Sequence, residues 1–117
     1  MRFTKLQCEI IDHRLEMPDC IFEACEEFCE DAGLDYDFGD FQFACIRVSR
    51  KIRSQQLKLI TLTTLEQLCL EDALEGSTYC ACAESGLSNG EISEAKMRGI
   101  QKSYDNAVEK LVGAFGS

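Results

Sequence analysis

Apolar side chains recur every three or four residues along most of this chain, which is the spacing of an α-helix that buries one face. Thr4 and Gln7 have the spacing of a capping box, so a first helix is predicted to begin there. Pro18 ends this helix and suits the first turn of the next one. A second helix is predicted over about 19–32 with Gly33 as its cap, and its apolar face consists of Ile21, Cys25, Phe28 and Ala32.

A third helix is predicted to begin with Asp40 as its N-cap, and it combines an apolar face with a basic one. The apolar face consists of Phe41, Cys45, Val48, Ile52, Gln56 and Leu59. The opposite face, called the basic stripe, consists of Arg47, Arg50, Lys51, Ser54 and Lys58. Parts of this region alternate apolar and polar residues and contain β-branched side chains, so two short strands near 41–62 are the alternative.

The second half of the chain contains two more capping-box spacings, Thr63 with Glu66 and Ser88 with Glu91. The first of these predicts a long helix that ends at Gly86, with Gly76 as a candidate interruption, and the second predicts a final helix. No internal repeat or interdomain linker is present. The sequence therefore predicts an all-α fold with about five helices in a single domain over 1–117.

Charge is distributed unevenly along the chain, whose 117 residues carry a formal net charge of −9. Residues 16–40, called the acidic tract, contain ten carboxylates and no Lys or Arg. Residues 41–65 contain five cations and no acid. This balance disfavours direct binding to nucleic acid or to an anionic membrane, and it favours a positively charged partner.

The second predicted helix concentrates the charge of the acidic tract on its polar face. Five pairs of like charges lie three or four residues apart there, and each pair costs roughly 0.2–0.5 kcal/mol. A solvated face is the simpler interpretation, but interspersed lysines would keep the chain soluble without that cost. We therefore predict a partner-binding surface that consists of Glu23, Glu26, Glu27, Glu30, Asp31, Asp35, Asp37 and Asp40.

A row of carboxylates on a helix imitates the closely spaced phosphates of a nucleic acid. Neighbouring side chains on one helix face lie about 5–6 Å apart at Cβ, and a duplex carries one charge per roughly 1.7 Å of its axis. The sequence thus predicts a small acidic inhibitor, of the kind that phages or mobile elements carry, which occupies the basic surface of a nucleic-acid-binding protein. For the basic stripe we expect pairing with the acidic tract. Homo-oligomers are compatible with the small residues of the later helices, such as Gly76, Gly99 and Ala107.

Eight cysteines are the second unusual feature of the composition. Because the N-terminal residues lack the apolar core of an export signal, we expect reduced thiols and a cytoplasmic protein, with no metal or cofactor. A disulfide framework and a thiol-based metal or iron–sulfur site are the alternatives. The segment from Cys80 to Cys82 resembles the Cys-x-Cys start of two-iron, two-sulfur ferredoxin-like modules, but no cysteine follows Cys82, and no function is carried over from it.

No residue pattern indicates catalysis. His13 is the single histidine and lies on the apolar face of the first predicted helix, where a structural role is expected. Nucleophile motifs, phosphate-binding glycine loops and metalloprotease motifs are absent from the sequence. The protein is therefore predicted not to be an enzyme.

Overall fold

The computed structural model describes residues 3–54 and 62–115, with side chains through residue 113. These residues form six α-helices and no strand: α1 (Lys5–Leu15), α2 (Pro18–Ala32), α3 (Phe38–Arg53), α4 (Thr64–Glu75), α5 (Thr78–Ser88) and α6 (Glu94–Phe115). The all-α prediction is confirmed. The sixth helix arises because the long helix predicted after Thr63 is divided at Gly76, the C-cap of α4. None of the described helices is both long enough and apolar enough to cross a membrane.

Two of the predicted capping boxes are present. The Thr4 hydroxyl accepts a hydrogen bond from the Gln7 N–H at 3.2 Å, and the Gln7 side chain accepts one from the Thr4 N–H at 2.9 Å. Thr63 and Glu66 make the same reciprocal pair at the start of α4, at 3.1 and 3.3 Å. Each box satisfies backbone donors that the first turn of a helix leaves without partners. Both starts are therefore fixed by the local sequence.

The helix that carries most of the acidic tract also begins and ends where the sequence predicts. Pro18 is the first residue of α2, where its missing N–H costs nothing. Gly33 follows the last residue with φ 70°, a left-handed conformation that glycine adopts without steric cost. The two residues set the length of the acidic helix.

The start of α3 differs from the prediction. Asp37, and not Asp40, is the N-cap, so α3 begins at Phe38. The strand alternative is wrong for residues 41–53, because these belong to α3. The remainder of that alternative falls mainly on 55–61, outside the described residues, as do Gln56, Lys58 and Leu59 of the two predicted faces.

The boundary between α5 and α6 was also predicted wrongly. α5 continues through Ser88, past the predicted end at Gly86, so Ser88 cannot form a capping box with Glu91. Instead, the Ser93 hydroxyl accepts a hydrogen bond from the Lys96 N–H at 3.1 Å, one residue before α6 begins.

α1 lies at the centre of the bundle and packs against each of the other five helices. Its Ile10 and Ile11 are fully buried. The main core joins α1, α2, α3, α4 and the end of α6, while a smaller cluster of Ile10, Ala83 and Ile100 joins α1, α5 and α6. α2 and α3 pack against each other as well as against this core. Their outward faces are therefore side by side on the surface of the bundle.

Candidate functional site

The acidic residues of α2 form one exposed surface, which we call the acidic stripe (Glu23, Glu26, Glu27, Glu30 and Asp31). The other side of the helix is buried through Ile21, Cys25 and Cys29. Residues at positions i, i+3, i+4 and i+7 of a helix share one face, and Glu23 to Glu30 follow that spacing. The stripe thus presents four carboxylates along two helical turns, with Asp31 extending the row.

Within the described residues, no cation forms an ion pair with the acidic stripe. The four ion pairs there join Arg14 to Asp72, Arg47 and Lys51 to Glu66, and Arg53 to Asp12. All of these acids lie outside the acidic tract. The expected pairing of the basic stripe with the acidic tract is therefore wrong for Arg47 and Lys51, while Lys58 lies outside the described residues. The carboxylates of α2 are exposed.

The three predicted acids beyond α2 differ in what they do. Asp35 is exposed in the loop between α2 and α3. Asp37 and Asp40 are exposed too, but they form a capping box: the Asp37 Oδ1 accepts a hydrogen bond from the Asp40 N–H at 2.8 Å, and the Asp40 Oδ2 accepts one from the Asp37 N–H at 3.0 Å. Asp37 and Asp40 therefore have a structural role in starting α3, apart from any partner.

Aromatic side chains hold the loop that carries these acids. The Phe22 ring on α2 lies 5.3 Å from the Phe41 ring and 6.0 Å from the Phe38 ring, centroid to centroid, in edge-to-face geometry. Tyr36 from the loop meets Phe41 in the same way at 6.3 Å. Such pairs stabilise by about 0.5–1.5 kcal/mol beyond their burial. Because Phe41 is buried, the cluster fixes the loop with its acids outward.

One predicted core residue of α2 is instead on the surface. Phe28 is 54 % exposed, and Ala32 is exposed as well. Cys29, which lies outside the predicted apolar face, is buried in their place. The buried line of α2 is narrow and runs through Ile21, Cys25 and Cys29, so Phe28 lies at its edge. An exposed aromatic side chain beside a charged surface is typical of protein-binding sites.

The outward face of α3 carries two further apolar side chains, which are not among the predicted site residues. Phe43 is 64 % exposed and Ile46 is 45 % exposed. Arg47 and Arg50 share their face, because the four positions follow the i, i+3, i+4, i+7 spacing. We call this set the Phe43 stripe. The sequence could have predicted the exposure of Phe43 and Ile46, because helical spacing places both on the side of α3 opposite its core-facing residues.

Glu66 pairs with two basic side chains of α3, Lys51 and Arg47. It is buried, its Oε2 accepts a hydrogen bond from Lys51 Nζ at 2.5 Å, and its Oε1 lies 4.0 Å from Arg47 Nε. Burial by itself raises the pKa of Glu66, but the hydrogen bonds from Lys51 and Thr63 outweigh it and hold that pKa below the usual value of 4.5. This cluster joins α3 to α4 and has a structural role.

Half of the thiols are part of the core. Cys25, Cys29, Cys45 and Cys69 are buried, and all eight cysteines are free. Burial raises the pKa of the Cys25 thiol to about 12, with nearby Asp72 adding to the effect. A thiol that stays protonated is a poor nucleophile and a poor metal ligand. Among the described residues, no three His, Cys, Asp or Glu side chains are placed to hold a metal ion.

His13 packs between α1 and α5. Its Nδ1 lies 2.6 Å from the Thr78 hydroxyl, and its ring meets the Tyr79 ring edge-to-face at 5.8 Å. Both contacts join one helix to another, which agrees with the structural role expected for this residue.

Comparison with known proteins gave no match to a family, to a curated protein or to a solved structure. The function of the chain therefore has to be inferred from its own residues.

Proposed function

We propose that this protein is a non-enzymatic binding protein, and that its acidic stripe occupies a basic surface on a nucleic-acid-binding protein. The observation that carries the proposal is the exposed row of carboxylates on α2, which has no ion-pair partner within the described residues. Repulsion between these carboxylates destabilises α2. A cationic surface that covers the row relieves the repulsion.

The geometry of α2 supports mimicry of a phosphate backbone. Helical spacing places neighbouring carboxylates of the stripe about 5–6 Å apart at Cβ, along two turns of one helix face. A groove that attracts nucleic acid through Lys and Arg attracts such a rod by the same electrostatic steering. Occupation of the groove excludes the nucleic acid, so the expected biological effect is inhibition, as in proteins that phages or mobile elements direct against their hosts.

The exposed aromatic ring beside the stripe supports a protein as the partner. Charged contacts at the rim of an interface contribute mainly to the rate and specificity of association, whereas aromatic anchors contribute much of its affinity. Phe28 lies between Glu27 and the end of α2 and is more than half exposed. The partner therefore combines a basic surface with an apolar depression that receives this ring.

The test is affinity capture from a host lysate with the wild-type chain and a charge-reversed variant, followed by competition with nucleic acid. The variant carries Glu23→Lys, Glu27→Lys and Glu30→Lys, and it leaves the caps Asp37 and Asp40 intact. We expect the wild type to capture a nucleic-acid-binding protein that the variant does not. The purified partner should then release a labelled duplex when the wild-type chain is added.

A matched control separates the acidic stripe from net charge. Reversal of the exposed acids Glu75, Glu84 and Glu109 to Lys changes the net charge equally but leaves α2 unaltered. This control should capture the same partner as the wild type. The proposal would be contradicted if the stripe variant captured the partner as well as the wild type does. It would also be contradicted if the wild-type chain did not displace the labelled duplex from the captured partner.

For the thiol-based alternative, no group of three His, Cys, Asp or Glu side chains within the described part of the chain is placed to hold a metal ion. The buried cysteines pack with apolar side chains in the core. Cys82 is exposed, whereas Cys80 packs against the smaller core cluster, so the Cys-x-Cys segment divides between two environments.

A further inference from the structure

α3 carries an exposed surface that neither the core nor the acidic stripe uses. Its Phe43 stripe consists of two large apolar side chains, 64 % and 45 % exposed, with Arg47 and Arg50 one turn further along. Arg47 is 46 % exposed and is attracted by Glu66 at 4.0 Å, while Arg50 takes part in none of the ion pairs of the described residues. An apolar surface flanked by guanidinium groups suits a partner surface that is both apolar and acidic.

The acidic stripe of the same molecule has that chemistry and the same spacing. Glu23, Glu26, Glu27 and Glu30 occupy positions i, i+3, i+4 and i+7 of α2, as the Phe43 stripe does on α3. Phe28, an exposed aromatic ring on α2, lies three residues before Asp31, which ends the stripe. The two stripes are therefore matched in length along their helices and opposite in charge.

A cavity beside the Phe43 stripe adds a receiving site for such a ring. It has a volume of about 490 Å³ and lies between α3 and the junction of α1 and α2. Ile46 and Arg50 form one wall, and Leu15 and Pro18 contribute apolar surface opposite. One aromatic side chain of a second molecule fits this volume.

From this complementarity we propose that the chain associates with a second copy of itself, and that the acidic stripe of each copy lies on the Phe43 stripe of the other. α2 and α3 are neighbours in the bundle. A two-fold axis that passes between the two stripes places the acidic stripe of one copy over the Phe43 stripe of its partner twice, which closes the assembly at a dimer. The dimer covers the acidic stripe, so self-association and binding of a basic partner compete for the same carboxylates.

The test is the concentration dependence of molar mass, measured by sedimentation equilibrium on the purified chain. We expect the mass of the wild type to rise from that of a monomer towards that of a dimer. Arg50→Glu on α3 and the pair Glu23→Lys with Glu27→Lys on α2 should each weaken self-association about tenfold. Arg47 is left unchanged because of its contact with buried Glu66.

Mixing the two variants gives the decisive measurement. A dimer of either variant alone places like charges opposite each other. In an equimolar mixture, the Glu introduced on α3 of one variant faces the Lys side chains introduced on α2 of the other. Association should therefore return in the mixture. Phe43→Ser should weaken association without this rescue, and Glu84→Lys should leave it unchanged. Far-ultraviolet circular dichroism verifies that each variant is folded.

A wild type that stays monomeric at all concentrations overturns the proposal, and so does a mixture that associates no better than its components. Either result concerns self-association and not the capture of a basic partner. Arg50→Glu keeps the acidic stripe intact, so its capture of a host partner tests the proposed function separately, whichever way the sedimentation experiment ends.

Discussion

Asp37 and Asp40 cap each other's backbone at the start of α3, with hydrogen bonds of 2.8 and 3.0 Å between each carboxylate and the N–H of the other residue. Both belong to the acidic tract, and both would count as partner-binding residues on charge alone. Their geometry gives them a separate role in folding. Acids of the tract can therefore be sorted by experiment into those that support the fold and those that do not.

Asp37→Ala should destabilise the protein by about 0.5–2 kcal/mol, because it removes the N-cap of α3. Asp35→Ala, two residues earlier in the same loop, should change the stability by less than about 0.5 kcal/mol, as exposed substitutions usually do. Urea denaturation followed by circular dichroism measures both. Equal effects of the two substitutions would show that the cap does not stabilise α3.

Glu27→Lys should make the protein more stable while weakening partner binding. Glu27 has like charges four residues away on both sides, at Glu23 and Asp31. The substitution converts these repulsions into attractions, so we expect a gain of about 1–2 kcal/mol. Glu84→Lys is the control, since its helical neighbours are uncharged and it should be neutral. Thermal unfolding measures the difference, and a loss of stability in Glu27→Lys would remove the energetic argument for a partner.

The Glu66 cluster should make stability depend on pH in a defined direction. The pKa of Glu66 is lower in the folded state than its usual value of 4.5, so the folded state favours the carboxylate. Its contribution is fully present above the unfolded pKa and is lost as the pH falls through the folded pKa. Glu66→Gln should therefore be less stable than the wild type at neutral pH, by about 1–3 kcal/mol.

The difference between Glu66→Gln and the wild type should shrink as the pH falls below 4.5 towards the folded pKa. Urea titrations across this range provide the comparison. Glu75→Gln, an exposed acid at the end of the same helix, should run parallel to the wild type. A constant difference across the range would mean that Lys51 does not stabilise the Glu66 carboxylate.

The cysteines should react in an order set by burial. Cys82 is exposed and should react first with a thiol reagent such as dithiobis(nitrobenzoic acid) in the native protein. Cys25, Cys29, Cys45 and Cys69 should react only after unfolding, because burial excludes the reagent and, at Cys25, raises the pKa to about 12. Cys82→Ser should abolish the fastest phase. Rapid modification of a buried thiol would contradict the described core.

Local signals predicted much of the fold. The capping boxes at Thr4 and Thr63, Pro18 at the start of α2 and Gly33 after its end depend on residues within a few positions of each other. Where two local patterns competed, the prediction was wrong: Asp40 lost the N-cap role to Asp37, and the Ser88 pattern gave way to Ser93. In both cases a residue a few positions away accepts the capping hydrogen bond instead.

The candidate site was predictable in its position but not in its surroundings. The acids of α2 were placed on one face by spacing alone. The acid with which each cation pairs depends on tertiary contacts. Arg53 pairs with Asp12, 41 residues away in sequence, and Arg14 pairs with Asp72, 58 residues away. The exposure of Phe28 also depended on how narrow the buried line of α2 is. Residue spacing identifies which side of a helix is buried, whereas the neighbouring helices determine how wide that buried side is.

The carboxylates of the acidic stripe touch neither the core nor the cations of the bundle within the described residues. Their identities can therefore change without unfolding the scaffold. Under the proposed function, a lineage whose target changes can exchange one Glu at a time along α2, while Ile21, Cys25 and Cys29 keep the helix packed on the core. Rapid divergence on one side of α2 and constancy on the other is the pattern that such an arrangement would leave among related sequences.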